Sequence, residues 1–141
     1  MLTRELLENL FDDARHPLRP PLERWLLASR RYASFVEANA PKIRKKLYVR
    51  TDPDSLNDLR LELEAAFCLV RDEVFSIEYE PGVAGRKAGP DFAVTYTTSL
   101  RFMLEVTRTQ AFDSGSPTDA AAFDRLAAGL HAVRLRPLVL R

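Results

Sequence analysis

The chain has 141 residues, a single cysteine and a formal net charge of +1. That length suits one domain with a sizeable core, and 46% hydrophobic with 29% charged residues is the balance of a soluble globular protein. A lone cysteine excludes a disulfide framework or a cysteine-rich metal site, and near-zero charge excludes a global field that would draw the chain to nucleic acid.

No apolar run approaches the roughly 18 residues of a membrane span. Met1-Leu2-Thr3-Arg4-Glu5 lacks the charged-then-apolar layout of a signal peptide. The expectation is a cytoplasmic protein without a membrane partner. No internal repeat or low-complexity tract is visible.

The first helix is expected over residues 3–15, where Leu6, Leu7, Leu10 and Phe11 form a helix-spaced stripe and Thr3 is a candidate cap. His16-Pro17-Leu18-Arg19-Pro20-Pro21 interrupts it. A second helix is expected from Leu22 to Ala38, with Trp25, Leu26, Ser29, Tyr32, Ala33 and Val36 on one side. That stripe offers a surface for a homodimer or another partner. Pro41 suits the first turn of a third helix, Pro41 to Tyr48.

The third segment carries the densest basic run: Lys42, Arg44, Lys45, Lys46 and Arg50. Two readings stand side by side. The run contacts a phosphate backbone, joined by Arg86 and Lys87 further on, or it is a solvated helix face with Ile43 and Leu47 turned to the core. His16 and His131 have no partner at metal-ligand spacing.

Asp52-Pro53 opens a helix running to about Arg71, with Asp52 as cap and Pro53 at the first helical position. Leu59, Leu63, Ala66, Phe67 and Val70 form its core stripe, and Glu62 lies at the stripe's border. Cys68 reads as a small core residue. Val74 to Tyr79 alternates as a strand, and Pro81 to Gly89 is a glycine-containing loop. A hairpin follows, with strands from Asp91 and up to Thr107. A turn centred on Thr98 and Ser99 sets Asp91 almost opposite Glu105. Directly opposed residues have Cβ atoms about 4.5–5.5 Å apart. Two carboxylates that close repel unless a proton or cation lies between them, and Mg²⁺ prefers such oxygen ligands. An Ala-rich helix over Thr118–Leu130 and a last strand over His131–Leu140 complete the chain.

The order helix, three strands, helix, strand carries Glu62 on its first helix, Gly89-Pro90-Asp91 before one strand and Glu105-Val106-Thr107 on the next. This resembles the restriction-endonuclease-like PD-(D/E)xK nuclease superfamily, and a group of uncharacterised bacterial proteins within it. The resemblance covers about residues 55–140. It implies an α/β fold: an α-β-β-β-α-β core over residues 52–141 with a mixed central sheet flanked by helices, and an N-terminal helical extension over residues 1–51, in one compact domain.

By resemblance, Asp91 and Glu105 would bind Mg²⁺ or Mn²⁺, and Glu62 would complete the site. The substrate would be a DNA phosphodiester. The superfamily's lysine belongs two residues after the strand glutamate, where this chain has Thr107; threonine carries no charge to stabilise developing negative charge. Lys87 is the candidate replacement. The alternative is a catalytically inactive nuclease-fold protein that serves as an interaction or nucleic-acid-binding module.

Overall fold

A computed structural model describes residues 2–82 and 89–108. The chain divides into two units, Met1–Arg108 and Thr109–Arg141, and the described residues all belong to the first. Arg86, Lys87, His131, the expected helix over residues 118–130 and the expected last strand lie outside the described residues.

Five helices precede the sheet: α1 (Thr3–Leu10), α2 (Arg19–Ala28), α3 (Arg30–Ala38), α4 (Ala40–Val49) and α5 (Pro53–Arg71). Helix α1 buries Leu6, Leu7 and Leu10 as the spacing predicts. Its cap is not Thr3. Leu2 occupies that position, and its amide donates to the Glu5 carboxylate at 3.0 Å. The helix ends five residues before the expected limit. Phe11 turns to extended backbone and buries its ring, while the Asp13 carboxylate accepts the Arg15 amide at 2.8 Å. Such a local bond competes with helix propagation.

Helix α2 begins before the expected Leu22, because Pro20 and Pro21 fall in its first turn. There a missing N–H costs no intrahelical bond. The expected single helix to Ala38 is split at Ser29, whose backbone is extended and whose Oγ accepts the Tyr32 amide at 3.2 Å. An N-cap serine satisfies a donor that would otherwise be orphaned. Asn39 alone separates α3 from α4, and its side chain donates to the Phe35 carbonyl at 2.8 Å. Helix α5 starts as the sequence predicts: Asp52 accepts the Ser55 amide at 2.9 Å and Pro53 occupies the first turn. Cys68 is exposed rather than buried, because it falls outside the Leu59–Leu63–Ala66–Phe67–Val70 face.

Strands β1 (Phe75–Tyr79), β2 (Phe92–Tyr96) and β3 (Leu100–Leu104) form an antiparallel sheet in that order. Tyr79 pairs with Phe92, and Phe92 with Leu104. The hairpin turn of Thr97, Thr98 and Ser99 centres on Thr98, close to expectation. Strand β3 stops at Leu104, short of the expected Thr107, so Glu105, Val106 and Thr107 lie past its end.

Among the described residues the fold is therefore α/β, with five helices and a three-stranded antiparallel sheet. None of these helices is long and apolar enough to cross a membrane. One apolar core runs through all five helices and the sheet: Leu22, Tyr32, Val36, Ile43, Leu59, Phe92 and Val94 are all fully buried in it. The Trp25/Tyr32 stripe belongs to this core rather than to an outer surface. Trp25 stacks on Phe67 at 5.8 Å between ring centroids and meets the edge of the buried Tyr32.

Candidate functional site

The acids that the sequence singles out are placed by two routes. The first is register. One step beyond the Tyr79–Phe92 pair, the Glu80 amide donates to the Asp91 carbonyl at 2.7 Å. One step beyond the Phe92–Leu104 pair, the same counting sets Asp91 against Glu105. The Asp91 carboxylate accepts the amide of Val106, the next residue, at 2.7 Å. Leu104 and Val106 pack against the core, so Glu105 between them is exposed. Thr107 is also exposed. Arg108 turns back to α5 and pairs with Asp54 at 2.8 Å and Asp58 at 3.1 Å.

The second route is burial. Glu62 is not at the border of its helix face but inside it, at 3% exposure, the one buried charged residue among those described. Its carboxylate is fully engaged. Lys46 from α4 and the Tyr79 hydroxyl both donate to Oε1, the latter at 2.6 Å, and Arg50 donates to Oε2 at 3.4 Å. Lys46 also reaches the Glu80 carboxylate at 2.7 Å. Burial, then the adjacent Glu62 charge, pushes the Tyr79 hydroxyl above the usual tyrosine range. It remains a proton donor to Glu62.

Glu80 is a participant that periodicity alone does not reveal. It carries a left-handed backbone, φ 48°, uncommon for a residue with a side chain. The available signal was register: extending Tyr79–Phe92 by one pair brings Glu80 to Asp91.

A divalent ion needs oxygen donors free of competing cations. Asp91 Oδ1 and both Glu105 oxygens make no hydrogen bond or ion pair among the described residues, so they meet that requirement. Glu62 does not, with two cations and a hydroxyl already on it. Among the described residues, no group of three or more His, Cys, Asp or Glu side chains is arranged to hold a metal.

Most of the basic run is engaged in contacts within the fold, although Lys42, Arg44 and Lys45 are exposed. Ile43 and Leu47 are buried, as the solvated-face reading expects. Lys42 donates to the Tyr79 carbonyl at 2.7 Å, and the Lys42 and Lys46 ammonium groups lie 5.9 and 4.8 Å from the Tyr79 ring centroid. Arg44 pairs with Asp12 at 2.8 Å. Lys45 is exposed and has no ion-pair partner among the described residues.

Comparison with protein-family models, with curated proteins and with solved structures finds no match to this chain.

Proposed function

We propose that this is a nuclease-fold protein acting on DNA phosphodiesters, with Mg²⁺ or Mn²⁺ held between Asp91 and Glu105. The supporting observation is the Val106 amide donating to the Asp91 carboxylate. That bond draws the acid before β2 to the residue beside Glu105 and fixes its orientation at the sheet end. The restriction-endonuclease-like core is the fold this reading requires. When bound, a divalent ion supplies Lewis-acid charge to a phosphoryl oxygen. The chain's own contribution is positional: Val106 orients Asp91, and Leu104 and Val106 anchor the segment that carries Glu105. Glu62 acts through packing, joining α4, α5 and β1.

A second reading is a nuclease-fold module that does not cut. It is favoured by the saturated Glu62 carboxylate and by the uncharged Thr107. The deciding experiment combines Mn²⁺ binding by calorimetry with cleavage of single- and double-stranded DNA. The first reading expects metal-dependent cutting that is lost in Asp91→Ala and in Glu105→Ala. Purified protein that binds no Mn²⁺ and leaves both DNA forms intact selects the second.

A further inference from the structure

Beyond the acid site, a cleft opens between α1 and α4. It is about 630 Å³ in volume, within the roughly 300–1,000 Å³ range of small-ligand sites. Its apolar lining comes from Leu10, Phe11, Leu47 and Leu56, of which the first three are buried core residues. The His16 ring packs against Phe11 at 4.9 Å between centroids. Its Nδ1 accepts the Leu18 amide at 3.2 Å, so in the neutral ring Nε2 is the donor. Tyr48, from α4, also lines the cleft and is 78% exposed.

An aromatic ring left that exposed on the lip of an apolar cleft is a stacking surface. Charge stands beside it. Lys45 is three residues earlier on α4, so it shares Tyr48's face, and it lacks an ion-pair partner among the described residues. Arg50 lines the same cleft and uses only Nη1 on Glu62, leaving Nε and Nη2 as donors. Two acids oppose this: Asp12 and Asp13 also line the cleft. Asp12 is paired with Arg44, and Asp13 accepts the Arg15 amide. An amide leaves the Asp13 charge in place, so the groups left to face a phosphate are Lys45, beside the cleft on α4, and the unused Nε and Nη2 of Arg50 within it.

We infer that this cleft takes an unpaired nucleotide of single-stranded DNA, with the base stacked on Tyr48 over the apolar lining and a phosphate drawn to Lys45. The inference rests on the reading of DNA as substrate and names its strand form. A duplex keeps its bases stacked inside and offers no free face to Tyr48. Single strands pair stacking on aromatics with a cationic backbone track, a recognition that tolerates any base. Arg50 also connects the cleft to the acid network, since the same guanidinium contacts Glu62.

The test is fluorescence anisotropy with a labelled oligothymidylate and with its duplex, in EDTA so that no cutting occurs. Tyr48 is exposed, so its substitution leaves the core intact. The wild-type chain should bind the single strand more tightly than the duplex. Tyr48→Ala should weaken single-strand binding about tenfold, given roughly 1–3 kcal/mol per stacked base, and Tyr48→Phe should restore it. Lys45→Ala should lower the salt slope by about one ion. Absence of binding, equal or tighter duplex binding, or an unchanged affinity in Tyr48→Ala would overturn the inference. Tyr48-dependent binding without metal-dependent cleavage would overturn the nuclease reading alone. Cleavage lost in Asp91→Ala but indifferent to Tyr48→Ala, with binding also indifferent, would do the reverse.

Discussion

The Tyr79 hydroxyl donates to the Glu62 carboxylate at 2.6 Å, joining the end of β1 to the middle of α5. Lys46 closes on the same oxygen from α4. Both partners of that ion pair are largely removed from water, with side chains 14% and 4% exposed. Removing one member of a buried pair costs about 3–5 kcal/mol when the other is left uncompensated. Lys46 keeps Glu80 at 2.7 Å, so Glu62→Ala should lower the unfolding free energy by less, about 1–3 kcal/mol for the unsatisfied Tyr79 hydroxyl, in urea titration. Glu62→Gln keeps an acceptor for Tyr79 and Lys46 and should cost less. Coincident unfolding curves for wild type and Glu62→Ala would show that the network adds nothing to stability.

Tyr32 is the second buried hydroxyl, and it donates to the Leu63 carbonyl at 3.0 Å. Its ring is fully buried between α3 and α5 residues. Tyr32→Phe preserves the ring and removes only this bond. A loss of about 1 kcal/mol is expected from chemical denaturation, with no change in oligonucleotide affinity.

His16 should give the fold a measurable pH dependence. Burial lowers its pKa, with Asp13 opposing part of that shift. The folded protein thus binds fewer protons at His16 than the unfolded chain does. The associated stability is complete above the ordinary histidine value of about 6.5 and is lost as the pH falls through it. His16→Asn, which retains an acceptor for the Leu18 amide, should flatten the decline in melting temperature below that pH. A slope identical to wild type would assign the decline to other groups.

Thr107 is exposed and uncharged, two residues beyond Glu105. If developing negative charge at a phosphodiester goes unstabilised for want of a cation there, Thr107→Lys should raise the metal-dependent cleavage rate. Removing one such donor elsewhere costs about 10²–10³, so a gain of at least about tenfold is the reasonable expectation in a single-turnover assay. An unchanged rate, with metal binding intact, would mean that charge stabilisation does not limit the reaction.

How much of the molecule is legible in its sequence depends on the range of the forces involved. The start of α5 was readable because Asp52 and Pro53 act within one turn. The β2–β3 register was readable because a hairpin fixes pairing by its turn, and a centre at Thr98 sets Phe92 against Leu104. Element ends were harder. Ser29 breaks a continuous apolar stripe through a local bond to Tyr32 that periodicity does not register. Pro20 and Pro21 read as a stop, although the first helical turn accommodates them. Burial of Glu62 was invisible for a different reason: its partners come from two separate places in the chain, Lys46 and Arg50 at the end of α4 and Tyr79 at the end of β1. The same long-range pairing hid the fate of the basic run, whose members looked equally solvated but are mostly engaged within the fold.

Asn39 is the single residue between α3 and α4, and a junction that short has no slack. Each residue added to a helix rotates the downstream side chains by about 100°. A glycine inserted after Asn39 would swing the Tyr79- and Glu62-facing cations away together and bring a different row of α4 against the sheet. The phase of one helix, set at a junction outside the Glu62 network, decides which cations the core receives and which the solvent keeps.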